Sequence, residues 1–135
     1  MSANLELARR WVAKAQNDLL NADNNLKAEQ IPFDTVCFHC QQGAEKLLKA
    51  FLVHYGQIPP HTHDVLVLLE RILPFNLDAE HLREVLSLLM PYAVEIRYPD
   101  DWFAPSPDDV HEARKAADSV LQWLKTAAPV LFSAA

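Results

Sequence analysis

Apolar side chains recur at intervals of three and four residues along most of the chain, whereas the alternation typical of strands does not occur. In the first segment this spacing continues over several turns and forms one apolar stripe, made by Leu5, Ala8, Val12, Ala15, Leu19, Ala22 and Leu26. Because residues spaced in this way share one face of a helix, the stripe predicts a long amphipathic first helix.

A second long helix is predicted after the break at Ile31-Pro32. Its apolar face would comprise Phe33, Val36, Cys37, Cys40, Ala44, Leu47, Leu48, Phe51, Leu52 and Tyr55. Gly56 follows this face directly, and glycine is the residue that most often ends a helix. The pattern therefore places the end of the second helix near Gly56.

Two shorter helices are predicted beyond the stiff connector Pro59-Pro60. Thr62 or His63 is expected to cap the first of them, which Pro74 stops. Asp78 is expected to cap the next, with Pro91 bending that helix and its end at Arg97-Tyr98-Pro99.

The last helix has the clearest start signal in the chain. Ser106 offers a capping hydroxyl, Pro107 fits the first helical position, and Asp108 and Asp109 place negative charge at the positive end of the helix dipole. Five amphipathic segments joined by short connections predict an all-α fold, an antiparallel four- to five-helix up-down bundle that occupies residues 1–135 as a single domain.

The amino-acid composition and charge argue against some classes of function. The 135 residues are 50% hydrophobic and 22% charged, with no apolar run of bilayer length and no basic-then-apolar leader, so we expect a cytoplasmic protein without a membrane partner. The formal net charge of −6 argues against broad electrostatic contact with nucleic acid. Any nucleotide or RNA contact would have to be local.

Cys37 and Cys40 flank a histidine, a pattern that raises the question of a metal or redox site. On a helix the two thiols fall near the middle of the apolar face, and His39 points about 100–200° away from them. The three side chains therefore do not converge on one ion, and no second cysteine pair completes a zinc site. Core packing of reduced thiols is the favoured interpretation, and no metal or other cofactor is expected.

Gln41, Glu45 and Lys49 stand at intervals of four and form a polar strip beside the apolar face of the second helix. One interpretation is a glutamate–lysine pair on a solvated edge. The other is a strip that faces a cleft between helices or between subunits. The spacing alone leaves both interpretations open.

The interpretation of the strip as one side of a cleft gains support from three short motifs that follow one another along the chain. They are Gln41–Ala50, Thr62–Leu66 and Arg97–Asp100. In their order and spacing they resemble the three signatures of the HEPN family, the higher-eukaryote and prokaryote nucleotide-binding domain. The resemblance spans nearly the whole chain. It implies a helical bundle that forms a homodimer and works beside a separately encoded minimal nucleotidyltransferase, in a toxin-antitoxin-like or defence system.

The resemblance also implies a nucleotide-binding cleft. Arg97 and Lys49 would meet phosphate and Tyr98 would pack near a base or sugar, with the remaining motif residues around them, namely Gln41, Glu45, His63 and Asp64. The ligand would be a nucleotide or a local stretch of RNA.

Two alternatives remain. Many members of the family are metal-independent ribonucleases in which an arginine is followed, after four to six residues, by a histidine, but Arg97 is followed by no histidine before His111. A ribonuclease would need a displaced base such as His39, His63 or His111, because cleavage without metal requires both a base and a cation. The other alternative is a helical adaptor without a ligand.

Overall fold

The computed structural model describes residues 3–94 and 104–133, and within these ranges every regular element is helical. The described residues form five α-helices, and short 3₁₀ segments cover residues 77–82, 90–92 and 129–131. The α-helices are α1 (Ala3–Leu26), α2 (Phe33–His54), α3 (Val65–Ile72), α4 (Arg83–Leu89) and α5 (Pro107–Ala127). The predicted all-α helical bundle is therefore confirmed.

The two long N-terminal helices pack antiparallel along their whole length. Leu19 meets Gly43 near the middle of the pair, while Asn4 at the start of α1 lies beside Gly56 at the end of α2. A Cβ at position 43 would stand 2.9 Å from a terminal carbon of Leu19. The absence of a side chain at Gly43 thus allows the close approach of α1 and α2.

Helix α5 covers the other side of α2 and runs in the same direction. The ring of Phe51 near the end of α2 lies 5.0 Å from that of Trp123 near the end of α5. Arg114 on α5 also binds Asp23 on α1 at 2.7 Å, and this hydrogen bond holds the pKa of Asp23 below its usual value. The stability that the ion pair contributes is therefore present at neutral pH and is lost as the pH falls through that lowered pKa.

The hydrophobic core follows the predicted apolar stripes. On α1 the buried stripe positions are Ala8, Val12, Ala15, Leu19 and Ala22, and on α2 the core includes Leu47, Leu48, Phe51 and Leu52. Cys37 and Cys40 are both buried and unpaired, and burial raises the pKa of each thiol to about 12. The prediction that the cysteines are core residues is confirmed.

Helix ends agree with the sequence in some places and differ in others. Ser106 accepts a hydrogen bond from the Asp109 amide at 3.1 Å, and the Asp109 carboxylate accepts one from the Ser106 amide at 2.9 Å. This reciprocal cap confirms the predicted start of α5. Gly56 has a φ of +76°, in the left-handed region that glycine adopts readily, and follows the end of α2 as predicted.

The predicted caps of the two short helices are wrong. Asp64, rather than Thr62 or His63, caps α3, because its carboxylate accepts hydrogen bonds from the amides of Leu66 and Val67. Asn76, rather than Asp78, caps the 3₁₀ segment Leu77–Leu82. In both places several residues able to cap stand close together, and the backbone geometry selects one of them.

The fourth helix is also shorter than predicted. Helix α4 ends at Leu89, and Pro91 lies in the 3₁₀ segment Met90–Tyr92 rather than at a bend inside the helix. Proline lacks the amide hydrogen that would continue the α-helical pattern. The predicted helix end at Arg97–Pro99 lies outside the described residues.

Candidate functional site

The polar strip on α2 is buried. Gln41 is fully covered, Glu45 is 3% exposed and Lys49 is 8% exposed. The interpretation of this strip as a solvated helix edge is therefore wrong. A helical wheel places these positions only at the border of the apolar face, and α1 and the connector after α2 cover that border in the folded chain.

Each polar atom of the strip has a partner. The two carboxylate oxygens of Glu45 accept hydrogen bonds from Lys49 Nζ and from His63 Nδ1, both at 3.0 Å. Gln41 Nε2 donates to the backbone carbonyl of His63 at 3.0 Å, and Gln41 Oε1 accepts from Gln42 Nε2 at 2.7 Å. Within the described residues, no buried side-chain nitrogen or oxygen lacks a hydrogen bond.

His63 is the point at which this buried network reaches the surface. Its side chain is 69% exposed although its carboxylate partner is almost completely covered. Because Gln41 holds the carbonyl of His63 and Glu45 holds its ring, the position of this exposed imidazole is fixed from the interior. An ionised carboxylate cannot donate, so Nδ1 carries the hydrogen of this bond and Nε2 is the ring nitrogen left for other contacts.

Lys49 is the last residue of the strip along α2, at the end away from Gln41. Its ammonium stands over the ring of Trp11 on α1, 5.6 Å from the ring centre, and binds Glu45 on the other side. The ammonium is therefore already engaged by a carboxylate and an aromatic face. In this arrangement Lys49 supports Glu45 rather than presenting its charge at the surface.

Seven residues are expected from the sequence to surround the nucleotide-binding cleft. Four of them meet in this network, namely Gln41, Glu45, Lys49 and His63. Asp64 is adjacent in the chain, but its carboxylate is used to cap α3. Arg97 and Tyr98 lie outside the described residues.

A second buried cluster, which the sequence analysis did not identify, joins α1 to α2. Asp18, 8% exposed, accepts hydrogen bonds from His39 Nδ1 at 2.9 Å and from Lys46 Nζ. A signal for it exists in the sequence, because Asp18 falls three residues after Ala15 and four before Ala22, inside the spacing of the apolar stripe. A carboxylate at a core spacing indicates a buried partner.

The three histidines considered as displaced catalytic bases occupy different places. His39 is tied to Asp18 and His63 to Glu45. His111 lies on α5 beside a pocket of about 520 Å³ that Arg114 also lines. The chain thus does not gather these histidines at one centre.

One surface pocket lies apart from this network. A pocket of about 680 Å³ opens between the 3₁₀ segment Leu77–Leu82 and α5, with Asp78, His81 and Trp123 among its lining residues and none from the α2 strip.

The described residues contain no group of three or more histidine, cysteine or acidic side chains that could hold a metal ion. None of the helices in these ranges has the length and apolar character needed to cross a bilayer.

Comparison with known proteins gives a consistent result. The family model of the HEPN domain matches residues 8–127, and no curated protein shows a significant match. The crystal structure of TT1696 from Thermus thermophilus superposes with a TM-score of 0.76 at 30% sequence identity, covering 88% of this chain and 96% of that one. The matched region runs from α1 to the end of α5 and includes the whole α2 network. The chain therefore belongs to the HEPN domain family.

Proposed function

We propose that this HEPN domain is a homodimeric binding module that takes a nucleotide phosphate at the exposed end of the α2 strip. It acts beside a separately encoded minimal nucleotidyltransferase, in a toxin-antitoxin-like or defence system. The observation that carries the proposal is the combination of a buried, fully bonded polar network with one exposed imidazole, that of His63, at its end.

Stability alone does not account for this network. A buried ion pair such as Glu45–Lys49 gains little over well-packed apolar side chains, because removing two charges from water offsets their attraction. The same network fixes both the backbone and the ring of one exposed residue, His63. Interior groups that fix the orientation of a surface side chain are typical of ligand-contacting sites.

Binding is favoured over catalysis because the expected catalytic pair is incomplete. Cleavage of RNA without metal needs a base for the 2′-hydroxyl and a cation for the phosphate. Arg97 could supply the cation, but no histidine follows it within six residues. We therefore expect the isolated protein to bind rather than to cleave.

The proposed dimer has support on the outer face of α1. Leu7, 45% exposed, lies beside Trp11 in a surface pocket on α1 that is lined mostly by apolar atoms, and an apolar surface left in water favours a partner. Sedimentation at micromolar concentration is expected to give the mass of a dimer. A monomer at every concentration tested would remove the homodimer from the proposal.

Substitution of Arg97 is expected to weaken nucleotide binding. A guanidinium grips phosphate with two parallel hydrogen bonds, so Arg97→Ala should reduce the affinity for AMP, ADP or ATP by about 10- to 150-fold. Titration calorimetry of the unmodified protein and the variant measures this change.

Arg71→Ala is the matched control, because Arg71 lies exposed in the last turn of α3 and its loss should leave affinity unchanged. If the unmodified protein binds none of the three nucleotides, nucleotide binding is excluded and only docking to a partner protein survives. Equal weakening by both substitutions would indicate a general effect of charge.

A further inference from the structure

The fixed charges described at the exposed end of the α2 strip, those of Lys49 and Asp64, are both engaged. The ammonium of Lys49 is paired with Glu45 from the same helix and covered by Trp11 of α1. At the start of α3, the Asp64 carboxylate accepts two backbone amides and adds negative charge. The connector adds two imidazoles that can become cationic, those of His63 and of the exposed His61.

The two imidazoles differ in how firmly they are held. His63 is bonded through Nδ1 to Glu45 and through its carbonyl to Gln41. Because Glu45 also binds Lys49, its charge is already balanced before His63 is considered. His63 Nε2 has no hydrogen-bond partner within the described residues, so its role toward a ligand depends on whether it carries a proton.

A phosphate ester presents acceptor oxygens and negative charge. A neutral imidazole whose Nδ1–H is committed to Glu45 offers only a lone pair at Nε2, and two acceptors facing one another repel. After protonation, Nε2–H donates to the phosphate in a charge-assisted hydrogen bond. A fully ionised phosphate can therefore hydrogen-bond to Nε2 only when that nitrogen carries a proton.

We infer that His63, held by Glu45, is a proton-linked phosphate contact, so that a phosphate-bearing ligand enters this site with uptake of a proton at Nε2. The inference rests on the proposed function, since it specifies how that site recognises its ligand. Histidine changes its charge between about pH 5 and 8. Binding should accordingly tighten as the pH falls through this range, because the protonated form is the one that binds.

Calorimetry in two buffers of different ionisation enthalpy tests the inference directly. AMP is titrated at pH 7.5 into the unmodified protein and into His63→Gln, and the difference in heat between buffers gives the number of protons taken up. AMP itself titrates near pH 6, but this contribution is common to both proteins. The unmodified protein is expected to take up about 0.5 to 1 proton more than His63→Gln.

His61→Gln is the matched control, because it removes a neighbouring exposed imidazole and should retain the full proton uptake. Long-range ¹H–¹⁵N spectra of the unmodified protein give a second readout that needs no variant. These spectra should show the Nδ1–H form of His63 without ligand and protonation of both ring nitrogens with AMP.

The possible outcomes separate this inference from the proposed function. Binding of AMP with equal proton uptake by the unmodified protein and His63→Gln would overturn the inference and leave the proposed function standing. Loss of the proton uptake in His61→Gln instead of His63→Gln would also overturn it. Failure of the unmodified protein to bind AMP would overturn both, and a neutral His63 ring in the AMP complex would contradict the inference even if His63→Gln did not fold.

Discussion

Glu45→Ala is expected to lower the free energy of unfolding by about 3–5 kcal/mol, the range for removing one partner of a buried ion pair. Glu45 and Lys49 have side chains only 3% and 10% exposed, so the substitution leaves the Lys49 ammonium buried without a counter-charge. It also releases the ring of His63. Urea denaturation followed by circular dichroism measures the change.

Glu84→Ala is the control for this experiment, because Glu84 is an exposed glutamate in the first turn of α4 and its removal should change stability little. The double variant with methionine at positions 45 and 49 should recover most of the loss, since an apolar pair replaces the ion pair without stranding a charge. A loss below about 1 kcal/mol in Glu45→Ala would mean that Lys49 reaches water easily, and the interior network would then not fix His63.

Asp18→Ala is expected to cost about 2–4 kcal/mol of stability, at or slightly below the range for a broken buried pair. The Asp18 side chain is 10% exposed and holds His39 and Lys46 of α2. These two partners are 20% and 22% exposed, so they can turn partly toward water, and this places the expected cost below that of the more deeply buried Glu45. Thermal and urea unfolding both report it.

The neighbouring substitution Asn17→Ala provides the comparison, since Asn17 is an exposed residue on the same helix. It should leave stability nearly unchanged because it removes no interhelical contact. Equal effects of Asp18→Ala and Asn17→Ala would contradict the view that the Asp18 cluster fastens α1 to α2.

The fold could be predicted because apolar spacing decides which helix faces are buried. The stripe from Ala8 to Ala22 and the reciprocal cap of Ser106 and Asp109 depend on neighbours within one helix, so the sequence is sufficient to identify them. The caps of α3 and of the 3₁₀ segment after it were predicted at the wrong residues. Thr62 and Asp64 both carry side chains that can cap a helix, and the sequence does not determine after which of them the helix begins.

The sequence indicated the polar strip of the candidate site but not its burial. Regular spacing identified Gln41, Glu45 and Lys49 as a strip, but their burial depends on Trp11 of α1 and on His63 in the connector, which are distant in sequence. Whether a position at the border of an apolar face is covered is decided by tertiary packing.

The same limit explains why the Asp18 cluster was missed. Asp18 lies on α1, and its two partners on α2, His39 and Lys46, follow it by 21 and 28 residues in the chain. Helical spacing relates residues within one helix, and a hydrogen bond across an interhelical contact becomes apparent only after the helices have been packed together.

An NMR titration of ¹⁵N-labelled protein with AMP tests the proposed nucleotide site most directly. If the nucleotide phosphate binds at the exposed end of the α2 strip, the largest shifts should occur in the imidazole of His63, the side-chain amide of Gln41 and the amide of Asp64, which lie together in the fold. They should saturate with a single affinity. Shifts confined to the pocket beside Trp123 and Asp78, or no shifts at millimolar AMP, would contradict the assignment of the site.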